Sequence, residues 1–399
     1  MSDINKKLAI FGGDPVRKEL LPYGKQSIDE DDIKSVVDVL RSDFITTGPK
    51  VEEFEKCFAD FVGSKYAVSF SSGTAALHGS IFAANIKDGD EVITTPLTFC
   101  ATSNCILYQG AKPVFADVKS DSLNINPKEI ENNITNQTKA IIPVDYAGHP
   151  ADLDEISEIA KNNKITVIED GCHALGAEYK GKRIGSISNM TVFSFHPVKH
   201  ITTGEGGMVT TNDDNLAIRL RKFRNHGINF DSRQRQKRDE WFYEIDELGY
   251  NYRLADINCA LGISQLKKIN KNLIIRRNIV KEYNNSLSNL EKIILPTENP
   301  YVSSAWHIYP IRISLNKLKS SREFIFKALR AENIGVNVHY IPIHYHPLYK
   351  RLFGSMVGKL PVCEEAYESL ITLPIFHGMT DDDVQDVIKA VKKVLHSCL

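Results

Sequence analysis

The sequence predicts an α/β fold, with a large, mainly parallel sheet domain followed by a smaller α+β domain. Short apolar, β-branched runs alternate with helical patterns through the first two-thirds of the 399 residues. This strand–helix alternation is typical of a parallel sheet. Most of the runs are continuously apolar, as expected of strands that helices cover on both faces. Near residue 285 the alternation stops and the order of elements changes.

Seven runs are the candidate strands of the large sheet. They are Tyr66–Phe70, Glu91–Thr94, Pro113–Ala116, Ala140–Val144, Thr166–Glu169, Thr191–Phe195 and Gly207–Thr211. The helices predicted in the same part of the chain are Asp29–Leu40, Ala75–Ala84, Leu153–Asn162, Asn215–Asn225 and a long one at Ala255–Leu287. The first helix has an acidic first turn and an apolar face formed by Ile33, Val36, Val37 and Leu40.

We predict a large domain at residues 1–285, with an amino-terminal extension at 1–25, and a small domain at 286–399. The boundary lies at the end of the long helix because the order of elements changes there. The elements expected in the small domain are the strands Trp306–Ile313 and Val336–Tyr340 and the helices Ser321–Glu332 and Asp381–Leu395.

The composition excludes several classes of protein. The 49 basic and 50 acidic side chains nearly cancel, whereas a nucleic-acid-binding protein normally has a basic surplus. Seven cysteines without a Cys-x-x-Cys pair favour free thiols in the cytoplasm over a disulfide framework or a metal site. The short apolar stretch Leu8–Phe11 predicts neither a signal peptide nor a membrane span.

Two ionisable residues, Asp170 and Lys199, lie beyond the ends of two predicted strands. Ligands of open α/β sheets bind at the edge formed by the carboxyl ends of the strands. Either residue alone could be a helix cap or a surface lysine. Together they are the pair that pyridoxal phosphate (PLP) requires, since a carboxylate keeps its pyridine nitrogen protonated and a lysine binds it covalently. A neutral lysine costs about 4–5 kcal/mol at pH 7, so we expect a desolvated pocket.

Small residues after the first strand suit a phosphate. Ser72, Gly73 and Thr74 stand at a helix start, where backbone N–H groups and the helix dipole favour an anion. The same residues could serve as a plain helix cap. Ser194 could add a hydroxyl group, and Phe99 could stack on the pyridine ring or join the core.

Six segments occur in one order along the chain: Ser72-Gly73-Thr74, Thr95-Pro96-Leu97-Thr98-Phe99, Glu169-Asp170, Ser194-Phe195-His196-Pro197-Val198-Lys199, Gly204-Glu205-Gly206-Gly207 and Gly249-Tyr250-Asn251-Tyr252-Arg253. In this order the chain resembles the DegT/StrS family of sugar aminotransferases over nearly its whole length. The resemblance implies the aspartate-aminotransferase fold (fold type I), PLP and its pyridoxamine form PMP as cofactor, and a homodimer. It also implies a nucleotide-sugar substrate and L-glutamate as amino donor.

The resemblance implies a role for each matching residue. Its phosphate-binding positions correspond to Ser72, Gly73, Thr74 and Ser194. Phe99 stacks on the ring and His173 lies beside the cofactor. Asp170 pairs with the pyridinium, and Lys199 forms the Schiff base and transfers the proton. Asn251 reaches the phosphate of the partner subunit, so that the dimer shares its active sites; as an alternative, Asn251 is a turn residue.

Three segments resemble the branch of the family that serves pseudaminic acid biosynthesis and aminates C4 of a UDP-linked 4-keto-6-deoxy-N-acetyl sugar. They are Val144–Gly148, Ser194–His196 and Val338–His344. The candidate substrate-binding residues are His196, Tyr252, His339, Tyr340 and His344. The chain also has a basic loop at 231–240, with Arg233, Arg235, Lys237 and Arg238. Its side chains either bind the diphosphate of the nucleotide sugar or are solvated.

Other functions remain as alternatives. A PLP-dependent sugar dehydratase of the same family has histidine in place of the lysine, and His200 would have to shift by one position to replace Lys199. A regulator that senses PLP or an amino sugar would not need the Asp170–Lys199 pair. A dinucleotide-binding oxidoreductase would need Gly-x-Gly-x-x-Gly after the first strand, which Ser71–Leu77 does not supply.

Overall fold

A seven-stranded sheet forms the centre of the predicted large domain in the computed structural model, which describes residues 7–230, 235 and 239–398. The strands of the protein are β1 (Tyr66–Phe70), β2 (Glu91–Thr94), β3 (Lys112–Phe115), β4 (Thr138–Ile142), β5 (Thr166–Asp170), β6 (Glu178–Tyr179), β7 (Lys182–Arg183), β8 (Met190–Ser194), β9 (Gly207–Thr211), β10 (Ile293–Ile294), β11 (Val302–Ser303), β12 (Tyr309–Ile313) and β13 (Leu370–Leu373). The order in the large sheet is β1-β9-β8-β5-β4-β2-β3, and β9 alone in this sheet runs antiparallel to its neighbours. The predicted seven strands and their mainly parallel arrangement are confirmed.

The helices in the described part of the chain are α1 (Glu30–Leu40), α2 (Pro49–Val62), α3 (Gly73–Ala83), α4 (Cys100–Tyr108), α5 (Pro127–Asn132), α6 (Leu153–Asn163), α7 (Asp214–Phe223), α8 (Asp256–Lys267), α9 (Ile269–Leu287), α10 (Arg322–Ala331), α11 (Pro347–Phe353), α12 (Pro361–Ser369) and α13 (Asp381–Ser397). Two cores cover the two faces of the sheet. Helices α3, α4 and α7 pack on one face, and α2, α6 and α8 on the other. Successive strand residues point to opposite faces, so Val167 joins one core and Ile168 the other.

Three predicted elements differ from the structure. The long helix is two helices, α8 and α9, because the chain bends at Lys268; α9 then starts in the large-domain core and ends in the small-domain core. The segment Val336–Tyr340 is not a strand. Its Asn337 forms a single bridge with Thr372, and the Val338 N–H then bonds to the Asn337 side chain. The predicted apolar face of α1 is only partly covered, since Ile33 is 47% and Leu40 56% exposed while Val36 and Val37 are half-buried.

The predicted small domain contains a three-stranded antiparallel sheet, β10-β12-β13, with α10, α13 and the end of α9 packed around it. The amino-terminal segment packs here too. Buried Glu332 accepts hydrogen bonds from the Ala9 and Val16 N–H groups, each at 2.9 Å, and pairs with Lys393 at 2.8 Å. Leu8 and Leu21 are buried in the same core. The extension therefore belongs to the packing of the small domain, although it stands at the opposite end of the chain.

We predict that Glu332→Ala lowers the free energy of unfolding by about 3–5 kcal/mol, because it leaves the buried ammonium of Lys393 without a carboxylate partner. The measurement is urea unfolding followed by circular dichroism. Glu323→Ala, which removes an exposed pair with Lys327 in α10, is the matched control and should leave stability nearly unchanged. Equal effects of the two substitutions would contradict the prediction.

Candidate active site

The carboxyl ends of four strands meet at one edge of the large sheet. Strand β5 ends at Asp170 and β8 at Ser194, while β1 and β2 end at Phe70 and Thr94. Gly207, the first residue of β9, pairs with both Phe70 and Ser194. The sheet thus brings together the segments that carry the candidate residues.

The Asp170 carboxylate is buried and held on both oxygens. Its Oδ2 accepts a hydrogen bond from the Thr102 hydroxyl at 2.7 Å, and its Oδ1 accepts one from the Cys172 N–H at 3.2 Å. Thr98 contacts Thr102 at 2.8 Å between hydroxyl oxygens. Thr102 was not among the predicted site residues. Thr98 precedes α4, which begins at Cys100, so helical periodicity does not predict their contact.

Lys199 is half-buried at the same edge. Burial lowers the pKa of its ammonium, while Cys172 and Asp170 oppose the shift. Its Nζ lies 3.4 Å from Nε2 of His307, a residue that the sequence analysis assigned to a strand and not to the site. A lowered pKa favours the neutral amine that a nucleophile or base needs.

Backbone and small side chains form a tight cradle beside this pair. Ser72 caps α3, since its hydroxyl accepts a hydrogen bond from the Ala75 N–H at 3.1 Å. A Cβ on Gly73 would lie 2.9 Å from Ser194 Cβ, and a Cβ on Gly207 would lie 2.4 Å from the Ser72 carbonyl oxygen. Both glycines are therefore needed for this close approach. First-turn N–H groups of a helix lack intrahelical acceptors and favour an anion.

Three rings border the site. Phe99 is 56% exposed, which is unusual for a side chain of its size and means that it is not a core residue. Its ring centroid lies 6.0 Å from that of Tyr340, whose hydroxyl lies 3.0 Å from His173 Nε2. His173 is buried, and burial holds its pKa well below the usual range, so it is a neutral imidazole.

The remaining candidate residues lie in different surroundings. His196 and Asn251 are exposed, and the Tyr252 hydroxyl lies 3.3 Å from His78 Nδ1. His339 is buried, with Nδ1 2.9 Å from the Thr372 hydroxyl. His344 is buried and its Nε2 lies 3.2 Å from Glu364. The structure therefore brings Tyr340 to the edge and directs His344 to a carboxylate of the small domain.

The basic loop is described only in part. Arg233, Lys237 and Arg238 lie outside the described residues. The Arg235 guanidinium lies 4.5 Å from the centroid of the Tyr243 ring. Its predicted contact with a diphosphate stays a prediction.

The model of the DegT/DnrJ/EryC1/StrS aminotransferase family matches residues 26–392. The chain belongs to this family. An uncharacterised protein of Methanocaldococcus jannaschii is 51% identical over 95% of this chain and 99% of its own. The spore coat polysaccharide biosynthesis protein SpsC of Bacillus subtilis is 40% identical over 95% and 98%.

Solved structures of the same fold type include Helicobacter pylori PseC, an aminotransferase of pseudaminic acid biosynthesis. It is 34% identical, covers 95% of this chain and 100% of its own, and has a TM-score of 0.89. Spr1654 of Streptococcus pneumoniae, solved in PLP and PMP forms, is 31% identical with TM-scores of 0.89 and 0.90; its PLP form covers 95% of this chain and 100% of its own. The protein is thus a fold type I, PLP-dependent sugar aminotransferase of the DegT family.

The residues at the sheet edge fit PLP. The buried carboxylate of Asp170 suits a protonated ring nitrogen, and the cradle at Gly73, which a Cβ would fill, suits a phosphate. The exposed ring of Phe99 suits a face of the pyridine ring.

Among the described residues, no helix is both long and apolar enough to cross a membrane.

A second carboxyl group stands directly behind Asp170. Glu169 is buried and interacts with buried Asp145, whose N–H donates to the Asp170 carbonyl oxygen at 3.1 Å. Burial raises the pKa of both Glu169 and Asp145, which favours a protonated carboxyl group in this pair. The sequence did not predict this pair, because strand patterns do not show which carboxyl groups are buried together.

We predict that Glu169→Gln becomes more stable relative to the wild type as pH rises above about 4.3, the pKa of an unfolded glutamate. The folded wild type retains a proton that the unfolded chain releases, so its stability falls with pH up to the folded pKa. Urea unfolding at pH 5, 7 and 9 measures the difference. Exposed Glu158→Gln is the control, and its difference from the wild type should not depend on pH. A pH-independent difference for Glu169→Gln would refute the raised pKa of Glu169.

Proposed function

We propose that this protein transfers the amino group of L-glutamate to C4 of UDP-2-acetamido-2,6-dideoxy-β-L-arabino-hex-4-ulose, in surface-glycan or nonulosonic acid biosynthesis. The observation that carries the proposal is the position of Asp170 and Lys199 beside the cradle at one sheet edge. The likeness to PseC, at 34% identity, supports the sugar, and the likeness to SpsC supports a role in surface polysaccharide.

We propose the following contacts with the cofactor. Bound PLP supplies an electron sink that lets the amino group pass between donor and acceptor in two half-reactions. Asp170 would hold the ring nitrogen, with its carboxylate oriented by Thr102. Phe99 and His173 would border the ring, and the phosphate would lie among Ser72, Gly73, Thr74 and Ser194.

Lys199 would bind the cofactor covalently and, once freed, move the proton at the reacting carbon. Burial favours its neutral amine, the form that accepts this proton. Tyr340 is fixed against His173 at 3.0 Å and is the best-placed of the substrate candidates. His196 and Tyr252 would line the entrance, with His339 behind Tyr340. His344 is a weaker candidate because its Nε2 already contacts Glu364. Arg235 is weaker as well, because its guanidinium already lies over the Tyr243 ring.

We propose a homodimer that shares its active sites. The partly exposed apolar face of α1, with Ile33 and Leu40, needs a cover. So does the segment before Asn251, where Trp241 is 86% and Leu248 77% exposed. A second copy of the chain would bury both surfaces and bring Asn251 to the partner's phosphate.

The described cysteines are unpaired, which supports a cytoplasmic location.

We predict that Lys199→Ala abolishes turnover and the visible absorbance of the PLP-loaded enzyme, because no other side chain would form the covalent link. Absorbance spectra and a glutamate-dependent amination assay measure this. Exposed Lys182→Ala is the control and should behave as the wild type. Turnover of the Lys199→Ala variant at a comparable rate would overturn the role of Lys199.

The substrate is tested with the PMP-loaded enzyme and a panel of 4-keto sugar nucleotides. We expect the PLP absorbance to return fastest with the proposed UDP sugar. A faster return with another 4-keto sugar would replace the substrate but keep the activity. Loss of the sugar's hydroxyl group without amination would indicate a dehydratase. Binding without any reaction would indicate a sensing regulator.

The shared site predicts complementation between two inactive variants. In a mixed dimer of Lys199→Ala and Asn251→Ala subunits, one site carries both changes and the other carries neither. Random reassortment should therefore restore activity to about a quarter of the wild type. Each variant alone is the control. No gain above the separate variants would show that Asn251 serves its own subunit or neither.

A further inference from the structure

His307 lies against the lysine that the proposed function assigns to the cofactor. Its Nε2 is 3.4 Å from Lys199 Nζ, and its imidazole is 4% exposed. The ring centroids of His173 and His200 lie 4.4 Å and 5.5 Å away. Lys199 is thus enclosed on one side by three imidazoles, of which His307 is within hydrogen-bond distance.

The backbone of His307 is fixed from two sides. Its N–H donates to the Ala147 carbonyl at 2.9 Å, and its carbonyl accepts from the Arg276 guanidinium at 3.2 Å. The same nitrogen of Arg276 also bonds to the carbonyls of Trp306 and Ile375, each at 3.1 Å. Arg276 is 2% exposed, and burial lowers its pKa to about 10, so it keeps its charge at neutral pH. A cation at this position disfavours a second one on His307.

The hydrogen-bond partners indicate where His307 carries its proton. Nδ1 of His307 is buried and has no partner among the described residues. A buried N–H without an acceptor is rarer than an acceptor without a donor, so we assign the proton to Nε2. His200 shows the same pattern, because its Nε2 bonds to the Ala305 carbonyl, which can only accept, and its Nδ1 is unpartnered among those residues.

We propose that His307 is a positioning residue for Lys199, in which Nε2–H donates a hydrogen bond to the unprotonated lysine nitrogen and keeps it at the sheet edge. This donor cannot bond to an ammonium, so the contact selects the neutral amine. Burial and the positive charge of Lys199 hold the pKa of His307 well below its usual range, which agrees with a neutral imidazole. The other titratable groups that face these two residues are Asp170, Cys172, His173, His200, Arg276 and His339.

The test measures the titration of Lys199 in the full-length apoenzyme. Brief acetylation at a series of pH values, followed by peptide mapping, gives the midpoint at which residue 199 becomes reactive. We expect His307→Leu to raise this midpoint by about one pH unit, as loss of one hydrogen bond to the amine requires. A leucine that merely made the pocket more apolar would lower the midpoint. An unchanged or lowered midpoint therefore overturns the proposal.

Two further variants make the result specific. His307→Gln places an amide N–H near the position of Nε2 and should keep the wild-type midpoint. His149→Leu removes another buried histidine, which accepts a hydrogen bond from the Asn299 N–H, and should also leave the midpoint unchanged. If His307→Leu does not fold, His307→Met takes its place with the same expected rise.

The loaded enzyme gives an independent readout. In His307→Leu the pH profile of kcat should move upward by about one unit, so that kcat falls about tenfold on its acidic limb and recovers at higher pH. This proposal rests on the proposed role of Lys199, but the two fail differently. If sugar amination is absent, the midpoint of Lys199 still reports on His307. If amination is present and the midpoint does not move, only the role of His307 is lost.

Discussion

The parallel register of β5 and β8 is the constraint on which the site depends. Asp170 pairs with Val192 across these strands, so the carboxylate and the segment that leads to Lys199 leave the sheet at the same edge. A shift of one residue would turn Asp170 toward the opposite face and its helices. The two apolar cores on the faces of the sheet prevent such a shift, because each strand residue is committed to one face.

The site is polar within a largely apolar domain. Hydrogen bonds and shifted pKa values limit the number of charges in it. Asp170 is neutralised in part by donors from Thr102 and the Cys172 backbone. Behind it, burial raises the pKa of both Asp145 and Glu169, which favours one protonated carboxyl group over two adjacent negative charges. On the other side, burial keeps the imidazoles neutral. The result is a pocket in which one carboxylate faces one amine, the arrangement that an electron-sink cofactor needs.

The predicted large and small domains are joined through buried side chains and not through the chain alone. Arg276, on α9, bonds to the carbonyls of Trp306 and His307, which precede β12, and of Ile375, which follows β13. Lys199 is thereby linked to the packing of the small domain through His307. The amino-terminal segment adds a second link, since Glu332 and Lys393 hold it against the same domain.

The sequence by itself determined the seven strands of the large sheet, because burial on both faces leaves a continuous apolar run in most of them. It also determined the family, because the motifs around Asp170 and Lys199 stand in one order. The substrate and cofactor roles of individual residues remain predictions. The tertiary structure alone decided the neighbours of these two residues. Thr102 and His307 come from distant segments, and only packing brings their side chains within hydrogen-bond distance.

Contacts between distant segments also explain why some predicted elements differ from the structure. The break at Lys268 and the single bridge at Asn337 depend on which core receives each side chain, and a local pattern does not report this. The face of α1 has helical periodicity, yet it is partly exposed in the single chain, since periodicity predicts that a face will be covered but not by what. Local sequence determines the element; the contacts between distant elements determine its surroundings.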